Sequence, residues 1–514
     1  MTDAVPVTDL LQAGLEAHPD ADAVVSLEMR WTFRELEQAS NCLAAAYARL
    51  GLVPGDRIAS LMPNRGILLV HYIACMKGGY VAVPLNYRYT HHEISHALEV
   101  SGAEAMVHHA ERAQDLEDCG ATQGLTGRIV TYGAEEGAGA LRLEDLIAED
   151  PAGYSAPAVS EDSPAFIFFT SGSTGPAKGV THSFGSVAYL FGHVVAGFEL
   201  TDADIMLPAS SVSHMGGFVF SFAALSVGAR ALVARSVLPD EVLPLMRQEQ
   251  PTAMCMLPAA LFNLIRDGHA SAEDFKSLRM VRCGADKVPL ELEEEFTELT
   301  GLEIDEGWGC SEVGLATINP PYGRIVAGSI GLILPGFEIS LRDDAGNEVG
   351  AGEDGTAWVR SRSIMKGYWG DDEATAKVIR DGWLDTGDLL RADEDGYLWF
   401  RGRKKQIIVH DGSNVFPQEV EDALLMHPNV ESVGVIGIHD LVHGENVRAY
   451  VVLKSEITAK AQELILFARE RIGYKAPEEI VFLEEMPLNP TGKTDRPTLK
   501  AMAEAHHDVR NALL

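Results

Sequence analysis

The chain has 514 residues, 46% hydrophobic and 23% charged, which is long enough for two or three domains of about 100 to 200 residues each. Its 75 acidic residues against 41 basic ones leave a formal charge of -34; this argues against nucleic acid or an anionic membrane as a non-specific partner and requires any anionic substrate to be held by local donors. Six cysteines without CxxC spacing predict neither a disulfide framework nor a zinc site, the N-terminus lacks a signal-peptide pattern, and Arg230 breaks the apolar stretch 218–234, so a cytoplasmic protein without a membrane span is expected.

From Trp31-Thr-Phe-Arg onward, apolar residues at helical spacing predict a helix that Gly51-Leu-Val-Pro-Gly55 ends. Arg57-Ile-Ala-Ser-Leu-Met62 reads as a strand, a second helix carries Leu68, Leu69, Tyr72 and Ile73, and Val81-Ala-Val-Pro-Leu85 is the next strand. Such alternation predicts βαβ units and a largely parallel sheet. Residues 100–160, acidic and glycine-rich around Glu135-Glu-Gly-Ala-Gly-Ala140, read as a peripheral connection.

Phe166-Ile-Phe-Phe-Thr170 is a buried strand that stops abruptly in Ser171-Gly-Ser-Thr174-Gly-Pro-Ala-Lys178-Gly179. Gly172, Gly175 and Gly179 lack Cβ atoms, so main-chain N–H groups can approach a polyanion, while the hydroxyls add donors and Lys178 adds charge. Phosphate is the natural guest. The stretch is not a Walker A loop, because Lys178 is followed by Gly179-Val180 rather than by Ser or Thr.

Downstream, His214 stands beside Met215-Gly-Gly217-Phe218, and the strand Met280-Val-Arg-Cys283 ends in Gly284-Ala285, a small-residue step suited to a flat base. Gly307-Trp-Gly-Cys-Ser-Glu312 brings an aromatic face and a carboxylate to one loop. Asp388 and Arg403 follow at strand-like segments, an acceptor and a donor able to bracket a diol. Lys404-Lys-Gln406 is a polar break, which divides the chain into domains 1–403 and 404–514. The last hundred or so residues read as a small α+β unit, with a helix from Pro417, strands at Ser432-Val-Gly-Val-Ile436 and Ala449-Tyr-Val-Val-Leu453, and a final Pro487-Leu-Asn-Pro-Thr-Gly-Lys493-Thr494.

These stretches, in this order over roughly residues 30–500, resemble the adenylate-forming superfamily of acyl-CoA synthetases, peptide-synthetase adenylation domains and luciferases. Ala177 stands where that family usually has proline, and Trp308 and Ser311 replace its usual Tyr and Thr. The resemblance implies an α/β fold: a large N-terminal domain of βαβ-type sheets with helices, carrying the acid and ATP sites, and a small mobile α+β C-terminal domain. By the same resemblance, Thr170, Ser171, Gly172, Ser173, Thr174, Gly175 and Lys178 hold ATP phosphates, Trp308 stacks on adenine beside Gly284 and Ala285, Ser311 belongs to the ATP site, and Asp388 and Arg403 meet the ribose. Glu312 would hold magnesium as a hard oxygen donor. His214, Gly217 and Phe218 would line the acid tunnel, Lys405 would be a hinge, and Lys493 would reach the attacking carboxylate.

The implied reaction is attack of a carboxylate on the α-phosphorus of ATP, giving an acyl-adenylate and pyrophosphate, with Lys493, His214, Glu312 and Lys178 as catalytic groups. An acceptor then takes the acyl group and AMP leaves. Tyr474-Lys-Ala-Pro477 resembles the acyl-CoA synthetase branch and slightly favours CoA. Against CoA, His410-Asp411-Gly412-Ser413-Asn414 replaces the bare Ser-Gly-Gly-x-Asn common in that branch, and the charge of Asp411 beside a thiol would raise its pKa. The same charge suits a cationic amine, so an amide ligase resembling the coronafacate and jasmonate-type acid–amino acid ligases is the alternative; carrier-protein loading stands third. A non-catalytic nucleotide or acyl binder would need a missing catalytic group, and none is missing. His214, Met215 and the neighbouring phenylalanines point to a mainly apolar acid.

Overall fold

The computed structural model describes residues 4–511 apart from 118, 126, 138–140, 152, 171–175, 285–287, 321–323, 411–412, 441–443, 456 and 490–491. The chain forms two compact units, residues 1–339 with 359–385 and residues 340–358 with 386–514. Among the described residues, no helix is long and apolar enough to cross a membrane.

In the larger unit, helices and strands alternate as the hydrophobic periodicity predicts. Thr32 caps the helix Phe33–Arg49 reciprocally: its N–H donates to Glu35 Oε2 (2.9 Å), and its hydroxyl accepts the Glu35 N–H (3.2 Å). The strand Arg57–Leu61, the helix Gly66–Gly78 and the strand Val81–Pro84 follow, and the two strands pair in parallel. The helix between them is buried on every side, which is why its sequence shows an apolar run rather than one apolar face.

Two sheets result. Among the described residues one has eight strands, in the order Gly367–Tyr368, Lys178–Ser183, Pro164–Thr170, Val81–Pro84, Arg57–Leu61, Ala105–His109, Ile129–Tyr132 and Leu141–Arg142. The other has seven: Ile304–Glu306, Met280–Cys283, Ala253–Met256, Ile205–Ala209, Arg230–Leu232, Asp22–Val25 and Arg30–Thr32. All its pairings are parallel except the antiparallel edge of Asp22–Val25 with Arg30–Thr32.

The expected peripheral connection at 100–160 is corrected here, because three of its segments extend the eight-stranded sheet. Ala105–His109 is buried throughout and pairs directly with Arg57–Leu61. Its two histidines disguise it as polar. His108 is satisfied inside the fold, with one ring nitrogen 2.9 Å from Thr131 Oγ1 and the other 2.9 Å from the carbonyl of His109.

Alternation along Pro164–Thr170 sorts its side chains between two cores. Phe166 and Phe168 pack on Phe218 of the helix Met215–Ser226, with ring centroids 4.5 and 5.2 Å away, in a cluster that also holds Tyr72, Phe191 and Phe222. Ile167 and Phe169 join Leu61, Val83 and Ile94 on the opposite face. In the seven-stranded sheet, Met254, Met256, Val281 and Cys283 line a third core with Leu243, Leu261 and Phe296 of the helices Pro239–Glu249, Pro258–Arg266 and Leu290–Thr300.

The smaller unit has the α+β character read from the sequence. Val430–Asp440 and Gly444–Leu453 form a long antiparallel pair, and Glu479–Leu483 adds in parallel. Val420 and Leu424 of Pro417–Leu425 and Leu464 and Ala468 of Ala461–Ile472 pack on one face. Leu499 and Ala503 of Arg496–Asn511 pack on the other. Arg496 Nη2 donates to both carboxylate oxygens of the buried Glu421 (2.6 and 2.8 Å), an ion pair that ties the last helix to Pro417–Leu425.

Candidate active site

Lys178 is the first residue of the strand that returns from the glycine- and hydroxyl-rich loop, in register with Thr170. Ser171 to Gly175, the centre of the expected phosphate site, lie outside the described residues, as do Ala285, Asp411 and Gly412. Gly179 has a different part from the one expected. A Cβ there would fall 2.7 Å from Ile167 Cγ2 and 3.3 Å from Trp369 Cβ, so its missing side chain closes the hairpin rather than opening a path to phosphate.

The strand Gly367–Tyr368 pairs with Lys178–Ser183 and so places Tyr368 beside the loop. The Lys178 ammonium sits 4.8 Å from the centroid of the Tyr368 ring. The Tyr368 hydroxyl donates to Glu312 Oε1 (3.3 Å), and burial together with this carboxylate raises the phenol pKa. Three sequence segments far apart in the chain therefore converge on one ring.

The same strand steadies the carboxylate loop from below. His182 is buried, its Nε2 lies 2.7 Å from the carbonyl of Ser311, and burial lowers its pKa to about 4, so it is the neutral ring that donates. Met365 N–H donates to the Glu312 carbonyl (2.7 Å). Sequence reasoning missed both Tyr368 and His182. The first lies in a two-residue strand with no periodicity to read, marked by Gly-Tyr-Trp alone; the second alternates inside an ordinary strand.

Trp308 is held by its backbone, whose N–H donates to Thr317 Oγ1 (3.0 Å) and whose carbonyl accepts from Ala316 N–H (3.0 Å). Its side chain is 6% exposed. The flanking glycines answer to packing: a Cβ on Gly307 would meet the Thr317 carbonyl oxygen at 2.4 Å, and one on Gly309 the Gly314 carbonyl oxygen at 1.9 Å. Gly284 faces this loop, since its Cβ would stand 3.4 Å from the Gly307 carbonyl oxygen.

His214 precedes the helix Met215–Ser226 and is half-buried. Its Nε2 lies 3.2 Å from Asn86 Nδ2. Asn86 Oδ1 accepts the Arg88 N–H (2.9 Å), which fixes the amide so that Nδ2 donates and His214 Nε2 accepts. Asn86 is thus the residue that orients His214. Gly217 is buried, and a Cβ there would meet the Ser211 carbonyl oxygen at 2.3 Å; Phe218 is fully buried in the aromatic cluster. The Phe218 N–H donates to the His214 carbonyl (2.9 Å).

In the smaller unit, Asp388 and Arg403 are register partners on antiparallel strands, with Arg403 Nε 3.1 Å from Asp388 Oδ1. Asp388 is buried and Arg403 exposed. Lys493 lies in a tight turn in which Asn489 N–H donates to its carbonyl (2.8 Å), its own N–H donates to Asn489 Oδ1 (3.1 Å), and Gly492 takes φ +85°. Lys405 is exposed in the short 3-10 turn Lys404–Gln406. Asn414 pairs with Val409 in the hairpin of Ile408–His410 with Ser413–Val415, and His410 Nδ1 lies 2.7 Å from the Glu445 carbonyl.

The chain thus brings Lys178 and Glu312 to one tyrosine in a two-sheet α/β unit and forms a second, small α+β unit. The chain belongs to the AMP-binding enzyme family: the family model of that description matches residues 11–369, and the model of the AMP-binding enzyme C-terminal domain matches residues 419–493. It is an AMP-forming, ATP-dependent acid ligase. A feruloyl-CoA synthase of Amycolatopsis sp. is 32% identical over 481 residues, 92% of this chain and 94% of that protein. An anthranilate CoA ligase solved with anthranoyl-AMP has TM-score 0.89 at 26% identity, covering 99% of both chains. The amide bond synthetase of Marinactinospora thermotolerans has TM-score 0.87 at 26% identity, covering 97% of this chain and 99% of that one.

Proposed function

We propose that this enzyme joins an activated carboxylic acid to the thiol of CoA, with the residues above in the following roles. A carboxylate oxygen of the acid attacks the α-phosphorus of ATP, forming the acyl-adenylate as the bond to pyrophosphate breaks. The thiol sulfur then attacks the acyl carbon, the bond to AMP breaks, and the thiol proton is lost. The observation that carries the reading is the convergence of Lys178 and Glu312 on Tyr368, which places a cation and a carboxylate at one edge of the phosphate-type loop.

Glu312 fits a magnesium ion. Among the described residues no group of three or more His, Cys, Asp or Glu side chains could form a metal cage, and magnesium is typically held by one or two carboxylates with substrate phosphates and water completing the shell. When bound, the ion would neutralise charge on the phosphates. Lys178 meets the same phosphates, Trp308 with Gly284 receives adenine, Asp388 and Arg403 bracket the ribose diol, and neutral His214, oriented by Asn86, lines the acid site. Lys493 serves the adenylation step, and a turn about Lys405 exchanges it for the segment 410–414 before transfer. This hinge and the 404–514 mobile domain concern motion, whereas the compact units are defined by packing. A cytoplasmic location fits substrates of this kind.

CoA as acceptor draws support from the feruloyl-CoA synthase and long-chain-fatty-acid–CoA ligase relatives, the latter 31% identical over 98% of this chain for the Salmonella typhimurium protein. The amide reading draws support from the likeness to the amide bond synthetase and from Asp411. The deciding experiment supplies ATP, magnesium and a panel of acids with either CoA or mixed amino acids, and reads the products by mass. Thioesters are expected; amides without thioesters overturn CoA in favour of the amine. Asp411→Gly should leave thioester formation unchanged or faster, whereas amide formation should fall about tenfold if the carboxylate serves an amine.

A further inference from the structure

The helix His91–Ser101 is fixed at its start and along one face. Thr90 and Glu93 cap it reciprocally, the Thr90 N–H donating to Glu93 Oε2 (2.8 Å) and the Glu93 N–H to the Thr90 hydroxyl (3.4 Å). Ile94, Ala97 and Leu98 are buried in the same core as Ile167 and Phe169 of Pro164–Thr170. His96, half-buried on this helix, thereby reaches both arms of the hairpin that Pro164–Thr170 forms with Lys178–Ser183. Its ring packs edge-on against Phe169 (centroids 6.3 Å apart), and its Nε2 lies 2.8 Å from the carbonyl oxygen of Ala177, the last residue before the returning strand. A carbonyl can only accept, so Nε2 carries the proton and donates whatever the charge on the ring.

This contact bears on Lys178. The Ala177 carbonyl and the Lys178 N–H belong to one planar peptide group, so a donor that holds the carbonyl also sets the plane from which Lys178 departs. Alanine, unlike proline, leaves its own φ free, so the restraint at this point comes from a neighbour. The register of Lys178 with Thr170 fixes the strand side of the same residue, and the Tyr368 ring, 4.8 Å from the ammonium, meets the far end of its side chain. Resting on the phosphate role of Lys178 given above, we propose that His96 is a positioning residue of the ATP site: through the Ala177 carbonyl it holds the closing peptide of the loop and so presents Lys178 to the phosphate chain of ATP. A group held in place before the nucleotide arrives spares binding part of the ordering cost. His96 acts through the loop and not on the phosphates, and Trp308 and Gly284, assigned to adenine, lie on other segments, so its effect should follow the phosphate chain rather than the nucleoside.

The test measures ATP and AMP affinities by calorimetric titration of the full chain, for wild type, His96→Ala, His96→Gln, Lys178→Ala and the double variant His96→Ala/Lys178→Ala. His96→Ala should weaken ATP by about threefold to tenfold, the scale of one net hydrogen bond, and AMP, which keeps one phosphate of the three, by about twofold or less. His96→Gln places an amide N–H near the position of Nε2 and should bring ATP affinity back to within about twofold of wild type. The double variant should lose less than the two single losses multiplied together, because His96 works through the residue already removed. If His96→Ala does not fold, His96→Phe, which keeps a ring against Phe169 but cannot donate, takes its place. Equal losses for ATP and AMP would assign His96 to the fold as a whole and overturn the proposal. So would losses that multiply independently in the double variant, or a glutamine that restores nothing, which would leave ring packing as the only role of His96. An ATP affinity untouched by Lys178→Ala is a different failure, since it defeats the phosphate role of Lys178 itself.

Discussion

Tyr368 carries opposite charges at two places on one side chain, Lys178 over the ring face and Glu312 at the hydroxyl. The substitutions Tyr368→Phe and Glu312→Gln separate them. Tyr368→Phe keeps the ring and the cation–π contact and removes one hydrogen bond to a charged group, so the magnesium concentration needed for half-maximal pyrophosphate release should rise about fivefold to tenfold. Glu312→Gln removes the charge itself and should raise it further. Equal effects from the two would mean that the phenol, not the carboxylate, is the group the phosphates require. Trp308 needs a gentler probe than alanine, since truncating a residue this buried also opens a cavity.

The helix Met215–Ser226 begins with two consecutive glycines that do different work. Gly217→Ala forces a Cβ to within 2.3 Å of the Ser211 carbonyl oxygen and should cost about 1–3 kcal/mol of stability, because backbone must move. Gly216 is exposed and would meet nothing nearer than Ser210 Oγ at 3.8 Å, so Gly216→Ala should stabilise by up to about 1 kcal/mol. Thermal denaturation of the pair reads both signs; a Gly217→Ala protein as stable as Gly216→Ala would show that the loop at Ser211 yields freely. These two glycines also mark where a sequence stops being legible. Elements with strong periodicity or flanking breakers, such as Phe33–Arg49, Arg57–Leu61 and Pro164–Thr170, are readable because their reasons are local. The close approach at Gly179, the second neighbour of Asn86 and the pairing of Gly367–Tyr368 with Lys178–Ser183 depend on segments brought together by the fold. Ala105–His109 failed for a third reason, since buried histidines imitate a polar loop.

Several buried titratable groups give the whole molecule a calculable response to acid. Burial lowers His71 to about 3 and His182 and His193 to about 4, so each contributes stability above its unfolded value of 6.5 and loses it as pH falls toward the folded value. Asp305, raised to about 7, acts in the opposite sense: its contribution is complete below the unfolded value of 3.8 and is lost as pH rises through 7. Between pH 7 and pH 5 the three histidines each lose about 2 kcal/mol while the single carboxyl returns a similar amount, so the net change is a loss of a few kcal/mol. The urea midpoint should therefore fall on moving from pH 7 to pH 5. A midpoint that holds or rises would mean that these rings are hydrated or charged in the native protein.

The smaller unit takes residues 340–358 from the middle of the chain and residues 386–514 from its end, so it is not a contiguous tail. On a ribosome this has a temporal consequence. The segment 340–358 is made before the last 156 residues (514 minus 358), and at about 5–20 residues per second it waits roughly 8–30 s for most of its unit to be synthesised. Throughout that interval the strands Phe337–Arg342 and Asp354–Ser361 have each other to pair with, while most of the unit that the segment belongs to is still being made.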